Sequence, residues 1–175
     1  MQQTLFLMVG YPGSGKTTVS KLIHDLTGAT HIWSDYERRQ MFGQPLHTVE
    51  ESRQLYAYLN KVVDKLLADG QSVIFDTNFN FKKDRQHLKD IAARHGARTL
   101  VIWLTTPEDI ARERAVEQSH GKETRVWGNM PTADFDRIVS HLQPPGEDEH
   151  PIKLEGIGVT PEIVRDLLRT AGVAE

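Results

Sequence analysis

The sequence contains no cysteine, which excludes disulfides, thiolate metal sites and a cysteine nucleophile. Long apolar runs are missing as well. None exceeds five residues, whereas a membrane-spanning helix needs about 18–20. The first run, Leu5-Phe6-Leu7-Met8-Val9, has no basic stretch before it and reads as a strand rather than a signal peptide. Basic residues are not in excess: 21 Lys and Arg face 24 Asp and Glu, a net charge of −3, and no Lys/Arg-rich block occurs. A dedicated polyanion binder is disfavoured, with room left for a local basic patch. The absences together point to a cytoplasmic protein with no membrane association and no obligate protein partner.

The 175 residues, 38% hydrophobic and 26% charged, with 13 Gly and 8 Pro, fit one domain, 1–175, able to bury roughly two-thirds of its unfolded surface. Short apolar runs alternate with helical stretches. Strands are expected at 5–9, 30–33, 72–76, 98–104 and 152–154, and helices at 16–27, from Ser34, at 48–69, 82–95, from Thr106 and from Thr160. Ser34 with Glu37, and Thr48 with Glu51, carry capping-box spacing. Thr106-Pro107-Glu108 and Thr160-Pro161-Glu162 read as capped starts with Pro at the first position. The long helix carries an apolar stripe of Leu55, Leu59, Val62 and Leu66, flanked by Tyr56, Val63 and Leu67. Residues 118–131 form a polar segment read as a flexible lid, and the acidic run Glu147-Asp148-Glu149 reads as solvated loop. The eight histidines are scattered and form no metal-ligand spacing. Alternating β and α elements imply an α/β fold of three layers, a parallel sheet with helices on both faces.

Residues 10–17, GYPGSGKT, match the phosphate-loop (Walker A) pattern G-x-x-x-x-G-K-[ST]. Gly10, Gly13 and Gly15 permit backbone angles and close approach that a Cβ forbids, so N–H groups of the loop, Ser14 included, can face phosphate oxygens. The following helix offers its N-terminus. Lys16 can reach the β- and γ-phosphates, and the Thr17 hydroxyl suits Mg²⁺; Thr18 closes the motif. The implied ligands are ATP and Mg²⁺.

Hydrolysis lacks an agent. The strand 73–75 ends in Asp76-Thr77 with no Glu to polarise water, and Asn60-Lys61-Val62-Val63-Asp64 sets its Asp one residue too late for a guanine reader. Transfer to an alcohol needs a carboxylate at the hydroxyl and cations across the phosphoryl group. Asp35 and Arg38 lie one helical turn apart after the second strand. The carboxyl ends of parallel strands flank a phosphate loop, which brings Asp35 and Asp76 toward it. Asp35 is thus either a general base or merely an acid favoured at a helix start. Asp76 suits Mg²⁺ or a turn. Arg114 falls on the apolar side of its helix and needs an anionic partner, a phosphate or an acidic side chain, whereas Arg112 points away. Tyr11, Phe79, Phe81 and Trp127 either stack a base or pack.

Three segments, GYPGSGKTT at 10–18, SDYER at 34–38 and DTNFN at 76–80, resemble the kinase domain of phage-type polynucleotide 5′-kinase and its zeta-toxin-like and other small P-loop kinase relatives. The likeness runs over about residues 1–145. It implies a kinase passing the γ-phosphoryl of ATP to a hydroxyl. In this reading Lys16 and Thr17 handle phosphates and Mg²⁺, Asp35 is the base and Arg38 contacts acceptor or phosphate. Asp76, Thr77 and Asn78 line the acceptor side, and lid arginines close over the phosphate. The second lid arginine is replaced by Gln118, so Arg112, Arg114, Lys122 and Arg125 all stand as lid cations. The acceptor is an oligonucleotide 5′ end or, since the chain is net negative, a small sugar, nucleoside or antibiotic.

Overall fold

A computed structural model describes residues 2–78, 81–118, 126 and 128–173. In chain order the elements are β1 (Thr4–Val9), α1 (Lys16–Thr27), β2 (Thr30–Trp33), α2 (Ser34–Phe42), α3 (Val49–Ala68), β3 (Val73–Asp76), α4 (Lys82–Arg94) and β4 (Arg98–Leu104). Next come α5 (Glu108–Arg112), continued as a π-helical turn over Glu113–Glu117, then α6 (Thr132–His141), a 3₁₀ turn at Glu147–Glu149, β5 (Ile152–Leu154) and α7 (Pro161–Thr170).

The five strands pair in the order β2-β3-β1-β4-β5, every pair parallel. β1 is buried along its whole length, and the two-residue alternation of a strand divides its side chains between two cores. Leu5, Leu7 and Val9 meet Leu55, Leu59, Val63 and Leu67 of α3 and Leu88, Ile91 and Ala92 of α4. Phe6 and Met8 meet Val19 and Ile23 of α1 and Val164 and Leu168 of α7. The result is the α/β, three-layer P-loop fold that the alternation of elements implies. A third, small cluster of Ala111, Ala115 and Phe135, with Tyr11, Val116, Met130 and Val139 against it, seats α6 on the α5 segment.

Several local expectations hold. The α1 helix spans 16–27 and ends at Gly28. Thr48 and Glu51 form both halves of a capping box, and Thr160 accepts from the Ile163 N–H with Pro161 at the helix start. The α3 stripe is centred on Leu55, Leu59, Val63 and Leu67, with Val62 and Leu66 at its margin.

Three expectations fail for tertiary reasons. Ser34 does not cap α2, which begins at Ser34 itself after an uncapped Trp33; its side chain is buried near the Tyr56 hydroxyl instead. Thr106 does not cap α5; its hydroxyl reaches the phosphate loop. Glu149 is not solvated. Arg85 Nε and Nη2 each donate to its carboxylate at 2.7 Å, both side chains are buried, and the Gly146 N–H adds a bond at 3.3 Å. The expected lid lies largely outside the described residues (119–125 and 127), with Lys122, Arg125 and Trp127, as do Phe79 and Asn80.

Candidate active site

Strand register assembles the site. Across the sheet, Asp76 lies level with Trp33 on one side and with Met8 on the other, and Val9 lies level with Trp103. Two residues beyond Trp33 is Asp35; two beyond Met8 is Gly10; three beyond Trp103 is Thr106. The carboxyl ends of β2, β3, β1 and β4 thus set Asp35, Asp76 with Thr77, the glycine-rich loop and Thr106 in one row.

The loop runs from β1 into α1 with Gly10, Gly13 and Gly15 at φ of 150°, 83° and 102°. Gly13 is required twice. Its φ is one that side chains avoid, and a Cβ there would lie 2.1 Å from the Ala111 carbonyl oxygen of α5. Lys16 is buried, and its Nζ donates to the Gly10 and Tyr11 carbonyls at 2.8 Å each, stretching back across the loop. Ser14 Oγ is buried without a hydrogen-bond partner among the described residues. An orphaned buried hydroxyl is rare; here it sits inside the loop built for anions, so the residues present fit a phosphate group. Thr17 is partly exposed and Thr18 exposed at the first turn of α1.

Asp76 is 2% exposed, and its Oδ2 lies 3.2 Å from His31 Nε2. The His31 ring is stacked parallel to Trp33, which in turn stacks on Tyr36. Thr17 and Asp76 offer hard oxygen donors of the kind Mg²⁺ takes while keeping several waters. Among the described residues no group of three or more His, Asp or Glu could hold a metal ion by itself.

Asp35 is partly exposed in the first turn of α2. One turn on, Arg38 is 7% exposed; Nη2 donates to Ser52 Oγ at 3.1 Å, and Nη1, without a hydrogen bond, stands 3.8 Å from Glu51 Oε2. Glu51 also accepts from the Leu46 and Thr48 N–H groups, and the Leu46 bond above all holds its carboxyl below the usual range. The capping box that opens α3 is therefore also the seat of Arg38. Close by lies Tyr56, whose hydroxyl is 2.7 Å from Thr77 Oγ1 and within the fields of Asp35 and Arg38. Burial pushes this phenol above its ordinary value against the opposing bond to Thr77, so it stays protonated. Asn78 follows, half-buried.

Arg114 Nη1 donates to the Gly156 carbonyl at 2.9 Å. This bond ties the side chain to the turn after β5. Arg112 stands away from the loop, 4.6 Å over the Phe135 ring and paired with Asp136 at 2.6 Å. Tyr11 packs in the small cluster with Ala111 and Ala115, and Phe81 lies against His141.

His31, Tyr56, Thr106 and Gly156 belong to this region and escape sequence reasoning. Tyr56 sits in an apolar stripe that accounts for it by packing alone. Gly156 had a usable signal, as a glycine just past the last strand.

Residues 5–145 match the AAA domain family, and the chain belongs to that family. Several of the solved structures it is similar to are kinases. A sugar kinase from Janibacter sp. HTCC2649 is 20% identical, with 99% of this chain and 96% of that one covered, at a TM-score of 0.70. Kti12 from Chaetomium thermophilum, solved with ADP-AlF3, is 16% identical over 97% and 98%, at 0.79. A chain of the Pnkp1/Rnl/Hen1 RNA repair complex is 19% identical over 81% of this chain and 44% of that one, at 0.67. At these identities the likeness establishes the fold, a kinase-like P-loop fold. No curated protein matches the sequence. Among the described residues no helix is long and apolar enough to cross a membrane.

Proposed function

We propose that the chain is a single-domain ATP- and Mg²⁺-dependent kinase that transfers the γ-phosphoryl group to a hydroxyl acceptor in the cytoplasm. The observation that carries this reading is the row at the strand ends, with an anion loop in the middle and an aspartate–arginine pair beside it. MgATP, when bound, supplies the phosphoryl group and neutralises its charge. Loop amides and the Lys16 ammonium hold the phosphates, and Thr17 and Asp76 hold the metal. Asp35 Oδ accepts the acceptor's hydroxyl proton, while Arg38, fixed by Ser52 and Glu51, orients acceptor or phosphate. Tyr56 keeps Thr77 in place on the acceptor side, next to Asn78. Arg114 is the lid cation of this reading.

Of the two acceptor classes, a small hydroxylated molecule is favoured over an oligonucleotide 5′ end. A polynucleotide track draws its affinity from several phosphate contacts, whereas the charge of Arg38 is already countered by Glu51 and the chain is net −3. The test is a γ-labelled ATP screen against sugars, nucleosides, aminoglycosides and 5′-hydroxyl oligonucleotides. Asp35→Asn is expected to lower turnover by about 10²–10⁴, the usual contribution of a general base, with ATP affinity kept; Lys16→Ala is expected to lose both. Undiminished transfer by the Asp35 variant would remove it as base. Label released only as free phosphate would make the protein a nucleotide-binding regulator.

A further inference from the structure

The phosphate loop is held from outside by a chain of hydrogen bonds that crosses three other segments. Thr106 Oγ1, 2% exposed, donates to the Ser14 carbonyl at 2.8 Å and accepts from the Gly156 N–H at 3.1 Å. Gly156 in turn receives Arg114 Nη1 on its carbonyl. The fit allows no side chain at the crossing, since a Cβ on Gly156 would lie 1.9 Å from the Ser14 carbonyl oxygen and 2.5 Å from Thr106 Oγ1. One hydroxyl therefore joins the end of β4, the turn after β5 and the loop, and the π-helical turn reaches the same place through Arg114.

The bond to Ser14 bears on ligand binding through peptide geometry. In a trans peptide the C=O and N–H point in opposite directions, so fixing the Ser14 carbonyl on Thr106 fixes the direction of the Gly15 N–H, one of the loop amides. Ordering such an amide before the ligand arrives removes that cost from binding. We propose that Thr106 is a positioning residue for nucleotide phosphate, acting through the Ser14–Gly15 peptide, with Gly156 the residue that lets it do so. This rests on the phosphate-loop reading above and adds a determinant to it that lies 92 residues from Ser14 in sequence.

Thr106→Val keeps the shape of the side chain and removes both bonds, leaving a buried carbonyl and N–H unpaired; Thr106→Ser keeps the hydroxyl. ATP affinity by calorimetry and the melting temperature without nucleotide are measured for each, with Gly156→Ala as an independent route to the same crossing. Thr106→Val and Gly156→Ala are expected to bind ATP about tenfold or more weakly, roughly one such hydrogen bond on the scale where 1.4 kcal/mol is tenfold, and Thr106→Ser within about threefold of the parent. A hydroxyl that served stability alone would lower the melting temperature of the valine variant and leave its ATP affinity unchanged, and that result overturns the proposal. A parent protein that binds no ATP overturns the phosphate-loop reading itself.

Discussion

The Arg85–Glu149 pair allows a stability prediction worked from its surroundings. Arg85 is fully buried and the Glu149 side chain is 2% exposed, with two charge-assisted bonds of 2.7 Å between them. Lys89 Nζ stands 3.7 Å away, and the Gly146 N–H is bound to the same carboxylate. Glu149→Gln removes the charge and leaves the guanidinium buried without its counter-ion, which typically costs about 3–5 kcal/mol, a large share of the roughly 5–15 kcal/mol that holds a domain folded. With a urea slope of about 1–3 kcal/mol per molar, the unfolding midpoint is expected to fall by about 1 M or more. The apolar double replacement Arg85→Met with Glu149→Leu is expected to recover most of that, because it removes both desolvation costs. Burial pushes the Glu149 carboxyl up, but the Arg85 hydrogen bonds and charge, with Gly146 and Lys89, outweigh it, and the net shift is downward. A depressed folded-state value contributes stability above the ordinary glutamate value of about 4.3 and loses it as pH falls through the folded value. The gap between parent and Glu149→Gln should therefore be full at pH 7 and close below about pH 4. A gap under about 1 kcal/mol at pH 7, the range of solvent-exposed pairs, would refute the reasoning.

Two further outcomes follow from the same geometry. Gly13→Ala must place its Cβ 2.1 Å from the Ala111 carbonyl at φ 83°, so ATP affinity should fall at least about tenfold; Gly28→Ala, also at positive φ but with nothing within 4 Å, should cost only about 1–2 kcal/mol of stability and leave ATP binding alone, both read by calorimetry and melting. Thr48→Ala removes the cap bond to the Glu51 N–H, costs about 1 kcal/mol and loosens the seat of Arg38; steady-state kinetics should show the acceptor KM rising more than the ATP KM, and equal changes in both would separate Arg38 from the acceptor.

The phosphate loop, the end of α1 at Gly28 and the start of α3 at Thr48 were legible because each is spelled locally: the residues that make the structure lie within a turn of one another. The β–α alternation and the β1 run gave the layers for the same reason. What was not legible depends on a partner distant in sequence. Thr106 before Pro107 and Glu108 has the signature of a cap, and the choice between capping α5 and reaching Ser14 is made by how closely the turn after β5 packs on the loop. Glu149 stands in an acidic, proline-flanked run that resembles solvated loop until Arg85, 64 residues away, is placed beside it. Tyr56 beside the α3 stripe is accounted for by packing and His31 by its place in β2, and nothing in their spacing reveals that one hydroxyl reaches Thr77 and one ring reaches Asp76.

These long-range contacts converge on one mechanical consequence. The loop has three glycines at positive φ, and such a segment, taken alone, loses more conformational entropy on ordering than any other. Its order must come from neighbours. Lys16 ties it to itself, α5 presses on Gly13 through the Ala111 carbonyl, and the turn after β5 presses on Ser14 through Gly156. Glu149 lies three residues before β5, and its pairing with Arg85 of α4 fixes the chain that delivers Gly156, so a substitution there should weaken ATP binding as well as stability. Loss of ATP affinity in Glu149→Gln under conditions where the variant is fully folded would tie the buried ion pair to the loop, and unchanged affinity would confine it to the fold.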